Sequence, residues 1–118
     1  MRVLIVDDNE ELRDFLALSL TEATVDVVVA QNTDDALQKV ESERFDALII
    51  DFVMENADGI ALVQQLRASR NGRAVPILLM SSISTALARR MAKDAGCTEF
   101  LVKPFGQMQF IEQVKSLG

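Results

Sequence analysis

Histidine, tryptophan and tyrosine are missing from all 118 residues, and cysteine occurs once, at Cys97. Without imidazoles and with a single thiol, zinc and most transition metals lack their usual ligands, and no intramolecular disulfide can form. Any metal here must be a hard cation held by oxygens. The two prolines and five glycines are scattered singly between patterned segments, so there is no internal linker, repeat or low-complexity tract. No apolar run approaches the roughly 18 residues needed to span a bilayer. The opening MRVLIVDD reaches acid after five apolar-rich residues, too short for a secretory core, so the chain reads as cytoplasmic with no membrane partner. Positive charge is also short: 12 Lys and Arg stand against 18 Asp and Glu, a net charge of −6. A molecule of that sign repels phosphate backbones and anionic headgroups as a whole, and direct nucleic-acid binding is not expected.

What is present fits one domain over residues 1–118. Hydrophobic residues make up 49% and charged residues 25%, enough for a single core without staples. Five short β-branched runs recur, at Val3 to Val6, Val25 to Val29, Ala47 to Ile50, Ile77 to Met80 and Phe100 to Val102. They read as strands buried on both faces. Between them the spacing is helical. Leu12, Phe15, Leu16 and Leu20 share a face behind Asp8 or Asn9 as N-cap; Ala36, Leu37 and Val40 form a second helix. Asp58 with Gly59 opens a third, in which Ile60, Val63 and Leu66 point inward and Asn71 with Gly72 marks the stop. A fourth, about Ser84 to Ala95, sets Leu87, Met91 and Ala95 against Arg89, Arg90, Lys93 and Asp94, and stands more exposed. A fifth, after Gly106, turns Met108, Ile111, Val114 and Leu117 inward. Five βα units predict an α/β fold with a parallel sheet covered on both faces.

In strands this apolar the informative residues are those that end them, because open α/β sheets bind ligands beyond the carboxyl ends of their strands. The first strand ends in Asp7 and Asp8, the third in Asp51, the fourth in Ser81 and Ser82, and the fifth in Lys103 and Pro104; the second ends in Ala30. In the order 2-1-3-4-5 the four polar-ended strands are adjacent and the bland one is an edge. Taken singly, each residue has an ordinary reading. Asp7 or Asp8 could be a helix cap, the serines a turn, Lys103 a solvated strand end. Asp51 is harder to dismiss, since a charge follows four apolar residues and no helix starts until about Asp58. Crowded carboxylates repel, and at neutral pH either a proton is retained or a divalent cation neutralises them. Mg²⁺ suits such a site, with one or two carboxylates, waters and phosphoryl oxygens. A carboxylate can attack phosphorus to give an aspartyl phosphate, and phosphoryl transfer asks for little beyond in-line placement and positive charge.

The segments LIVDDNEELR, ALIIDFVMENADG, PILLMSS and EFLVKPF, in that sequence and at these separations, resemble a response-regulator receiver domain of the CheY-like type over essentially the whole chain. The resemblance implies a flavodoxin-like, doubly wound fold of order 2-1-3-4-5. It implies Asp51 as the phosphoacceptor, Asp7 and Asp8 as the Mg²⁺-binding pair, and Val53 as a ligand through its backbone carbonyl. Ser81 is the switch hydroxyl on the phosphoryl group. Lys103 is the lysine of the motif, aimed by a cis Lys103–Pro104 bond, and Phe100 is the aromatic that turns inward when the hydroxyl moves. The implied activity is a phosphorylation switch and not turnover. A histidine kinase or phosphotransfer protein supplies the phosphoryl group, with small acyl-type donors reacting slowly. The output surface is the fourth helix, fifth strand and fifth helix, which meets a downstream protein target, a fused effector domain or a second copy of the chain.

The pattern is departed from in three ways. Glu55 follows Met54 where the family often has proline, which loosens that loop and adds negative charge. Phe100 is not tyrosine, so a switch works through packing alone. Val53 and Ile83 are apolar where polar side chains can orient a hydrolytic water, which predicts a slowly hydrolysing phosphoform. Two rival readings follow from the residues. A phosphatase or NTPase using Asp51 as nucleophile would need a GxxxxGK loop or a cap insertion, and neither is present. A docking module independent of phosphate fits Glu55, but no residue of the phosphorylation set is missing.

Overall fold

The computed structural model describes residues 1–54 and 57–118, so the departure at Glu55 lies outside the described residues. Five parallel strands form one sheet: β1 (Arg2–Val6), β2 (Asp26–Ala30), β3 (Ala47–Asp51), β6 (Ile77–Ser81) and β7 (Glu99–Val102), in the order β2-β1-β3-β6-β7. This is the order 2-1-3-4-5 expected for the five main strands. A small antiparallel pair not foreseen from the sequence, β4 (Val53–Met54) with β5 (Ala57–Asp58), follows β3. The helices are α1 (Glu10–Glu22), α2 (Thr33–Ser42), α3 (Gly59–Arg67), α4 (Ala86–Ala95) and α5 (Gln107–Leu117). Among the described residues no helix is long and apolar enough to cross a membrane.

Alternation along the strands divides the core in two. Val3 and Ile5 in β1, Ala47 and Ile49 in β3, and Leu78 and Met80 in β6 face α1 and α5; Leu4, Val6, Leu48, Ile50, Ile77 and Leu79 face α2, α3 and α4. The three central strands are therefore buried almost throughout, whereas the edges β2 and β7 are only partly covered. Each Val, Leu, Ile or Met side chain fully buried this way contributes about 1.5–3 kcal/mol.

Several helical residues face differently from their expected placement. In α4 the inward stripe is Ala88, Ala92 and Ala95, at i, i+4 and i+7, while Leu87 is 67% exposed and Met91 41%. A helix lying close against a sheet takes small residues on its contact face, so size overrode hydrophobicity. In α1, Leu16 and Leu20 are buried, but Phe15 is 51% exposed and Ser19 takes the inward place. The buried Ser19 hydroxyl stays satisfied by donating to Phe15 O at 2.9 Å and accepting from Gln107 Nε2 at 2.9 Å. In α5, Met108 points outward and Phe110 is fully buried, stacked on Phe105 with ring centroids 5.4 Å apart. Helix α3 ends at Arg67 and not at Asn71. Arg67 turns back instead, donating to the carbonyls of Gly72 (2.8 Å), Val75 (2.6 Å) and Gly96 (2.8 and 3.0 Å). Those bonds fasten the chain before β6 to the left-handed Gly96 that closes α4.

A candidate phosphoacceptor site at the carboxyl rim of the sheet

The parallel register brings four strand ends to one rim. Val6 pairs with Ile50, Asp51 with Met80 and Ser81 with Val102, so Asp7, Asp51, Ser81 and Lys103 emerge side by side. Backbone bonds continue past the strands, from Phe52 N–H to Met80 O (2.8 Å) and from Lys103 N–H to Ser81 O (2.8 Å), which fixes these positions further. The helix cap behind β1 is Asn9, whose Oδ1 accepts from Leu12 N–H at 3.1 Å. Neither Asp7 nor Asp8 serves as the cap, and the ordinary reading of those two residues falls away.

Asp7 is fully buried and Asp51 nearly so, while Asp8 is exposed. One carboxylate oxygen from each lies within 4.8 Å of the others. Asp7 Oδ1 accepts from Asn9 N–H at 2.9 Å, but Asp7 Oδ2 is buried with no hydrogen-bond partner. Such an orphaned oxygen costs about 1–3 kcal/mol unless something meets it. The donor set is all oxygen and anionic, and it fits a hard divalent cation. Burial pushes the Asp7 carboxyl above the ordinary range, with the Asn9 bond opposing and the charge of Asp51 adding to the rise. Burial also raises Asp51, against the pull of Lys103, whose Nζ lies 3.0 Å from Asp51 Oδ1. The Lys103–Pro104 bond is cis, as the motif implied.

Ser81 is buried at the same rim, but its hydroxyl is engaged with the backbone two residues on. It donates to Ile83 O at 2.9 Å and accepts from Ile83 N–H at 2.8 Å. Phe100 is half-buried at the edge, with the Arg89 guanidinium 5.0 Å from its ring centroid. Val53 begins the hairpin two residues after Asp51; its side chain is 58% exposed, and Ile83 is 41% exposed.

Gly59, expected as a helix start, also packs behind Asp51. Its N–H donates to Phe52 O at 2.8 Å, and a Cβ there would sit 2.2 Å from Asp51 O. Only glycine lets α3 begin hard against the segment that carries Asp51. The Asp-Gly pair was visible, but what it backs depends on the hairpin that folds α3 onto β3. The groove formed by Leu12, Phe15, Leu16, Lys103, Pro104 and Phe105, about 400 Å³, was also missed, since Phe15 looked like core.

Comparisons agree with this geometry. Residues 3–115 match the family described as response regulator receiver domain. The response regulator MprA of Mycobacterium avium is 33% identical over 117 residues, covering 99% of this chain and 50% of that protein, so the chain spans about half the length of the curated relatives it matches. Among solved structures, the chemotaxis protein CheY4 of Vibrio cholerae aligns with a TM-score of 0.94 at 28% identity, covering 99% of this chain and 98% of that one. The response regulator TrrA of Thermotoga maritima, in complex with Mg²⁺ and BeF, aligns with a TM-score of 0.86 at 28% identity, covering 99% and 98%. With the family matched along nearly its whole length and the acid cluster at the expected rim, the chain belongs to the response-regulator receiver domains.

Proposed function

We propose that Asp51 accepts a phosphoryl group in a Mg²⁺-dependent reaction and that residues 1–118 act as one receiver unit. The observation that carries this reading is the joint geometry of the rim: three carboxylates within 4.8 Å, one orphaned oxygen on Asp7, and the Lys103 ammonium 3.0 Å from Asp51. Asp7, Asp8, Asp51 and the Val53 carbonyl are the groups that would hold Mg²⁺, which neutralises the acids and the incoming phosphoryl oxygens. Asp51 supplies the nucleophilic oxygen. Lys103 balances charge beside it, and Ser81 leaves Ile83 to hydrogen-bond the phosphoryl oxygen. Freeing the Ile83 backbone shifts the loop before α4, and Phe100 repacks beneath Arg89, which biases a two-state equilibrium at the surface of α4, β7 and α5. The chain thus catalyses its own phosphorylation and dephosphorylation and does not turn over a separate substrate. Its donor is a cytoplasmic histidine kinase or phosphotransfer protein, which can lie in the apolar groove between α1 and Phe105. Its output partner is a downstream protein, a fused effector domain or a second copy.

The test is intact-mass spectrometry after incubation with acetyl phosphate. A single phosphoryl increment should appear with Mg²⁺, vanish with chelator and vanish in Asp51→Asn. An increment that survives the substitution overturns the assignment. Sustained phosphate release from many donor molecules per chain, at a rate unrelated to loss of the increment, favours the hydrolase reading instead.

A further inference from the structure

The acidic rim has a basic counterpart at the other end of the same strands. Arg44 precedes β3, and Arg70 and Arg73 lie in the loop before β6, at the amino ends of neighbouring strands. That places them a strand's length from Asp51, roughly 15 Å or more at about 3.3 Å per residue. Together with Phe45, Asp46 and Asn71 they line a cleft of about 520 Å³. Small-ligand sites typically measure about 300–1,000 Å³.

Although acids outnumber bases in the chain, none of these three guanidiniums has a carboxylate partner among the described residues. Asp46, the acid in the cleft, has its Oδ2 accepting from Arg2 N–H at 2.7 Å, and the Arg2 side chain pairs with Asp26 and Glu43. The loop that carries Arg70 and Arg73 has no helix or strand, yet it is braced at Ser69, Asn71, Gly72 and Val75, on either side of both arginines. Arg67 donates to Gly72 O and Val75 O, Asn71 Nδ2 donates to Val40 O (2.9 Å) and Glu41 O (3.1 Å), and Gly72 N–H donates to Ser69 Oγ (3.1 Å). A Cβ at the buried Gly72 would sit 2.3 Å from Leu66 O. A backbone held on both sides of Arg70 and Arg73 lowers the backbone part of the ordering cost of binding.

We propose that this cleft is an anion site for a small ligand carrying two or more phosphoryl groups, gripped by Arg44, Arg70 and Arg73. A planar guanidinium matches phosphate oxygens in a bidentate fork, and three separate forks suit a polyanion better than a single phosphate. The net charge of −6 opposes extended nucleic acid, whereas a small ligand inside the cleft meets the local positive field. The site is independent of the acid rim and of its phosphorylation.

The test is calorimetric titration of the full chain with inorganic pyrophosphate, at low salt and with chelator present so that no divalent ion bridges ligand and acid rim. Saturable one-to-one binding is expected, weakened about tenfold or more in each of Arg44→Gln, Arg70→Gln and Arg73→Gln, because each removes a charge-assisted fork. Asp51→Asn and Lys115→Gln should leave it unchanged, and melting curves of the arginine variants should match the wild type. Absence of saturation up to about 10 mM, weaker than any useful affinity, overturns the proposal. So does equal affinity in the arginine variants, an equal loss in Lys115→Gln, or a loss confined to Asp51→Asn.

Discussion

The two ends of β3 and β6 gather charge in opposite ways. At the carboxyl end Asp7 and Asp51 are buried and repel each other beside one ammonium, so their charge is held at a cost. At the amino end Arg44, Arg70 and Arg73 are exposed, and water screens their mutual repulsion. Each end is backed by a glycine pressed against a carbonyl: Gly59 on Asp51 O, Gly72 on Leu66 O. The difference teaches that burial, and not the number of like charges, turns a cluster into a chemical centre. Only the buried end shifts its acids and leaves an oxygen orphaned.

Breaking the glycine contacts should have the largest effect. Gly59→Ala and Gly72→Ala each force backbone apart and should cost about 1–3 kcal/mol in urea denaturation, as overpacking does. Only Gly59→Ala should also slow phosphorylation by acetyl phosphate, because it displaces Asp51; equal slowing by Gly72→Ala would erase the distinction between the ends. Next comes the lifetime of the phosphoform. Val53→Asn with Ile83→Glu should shorten it roughly tenfold or more by placing groups that orient or deprotonate water, read as loss of label after donor removal. A lifetime equal to or longer than the wild type's would show that the apolar pair does not slow hydrolysis.

A smaller effect tests burial itself. Asp7 and Asp51 are raised by burial, so each binds a proton more readily in the folded state. The stability this gives is fully present below the unfolded carboxylate's pKa and is lost as pH rises through the folded pKa. In chelator, Asp7→Asn should therefore melt higher than the wild type at neutral pH, with the gap closing as the pH falls through the raised folded pKa and gone once it is below the ordinary carboxylate range. Mg²⁺ should stabilise the wild type more than the variant. A gap independent of pH would mean that the Asp7 charge is not what burial penalises. The smallest expectation is none at all: Arg70→Gln and Arg73→Gln should leave phosphorylation by acetyl phosphate unchanged.

Strand positions and the acid rim were legible because both are patterns in the chain: apolar runs of strand length, each broken by a particular polar residue. Asp7, Asp51 and Lys103 meet where the strand order puts them. What stayed hidden depends on which side of a helix meets the sheet. Leu87 and Met91 look like core until α4 is found to lie on alanines. Phe15 looks like core until Ser19 takes its place, and Met108 until Phe110 fills the space beside Phe105. The reach of Arg67 to Gly96 and the packing of Gly59 on Asp51 are tertiary contacts with no local signature, whereas the bond of Ser81 to Ile83 two residues on is the turn that the serines offered. The short hairpin of β4 and β5 carries too few residues for a period to show.

The most direct test of the account is to trap the acyl phosphate. The chain is incubated with acetyl phosphate and Mg²⁺, reduced with borohydride, and its peptides are sequenced by tandem mass spectrometry. An aspartyl phosphate at Asp51 is reduced to homoserine at that position, and the account predicts homoserine there alone. Homoserine at Asp7, Asp8 or another acid, or at no position in a sample shown to carry the phosphoryl increment, would contradict it.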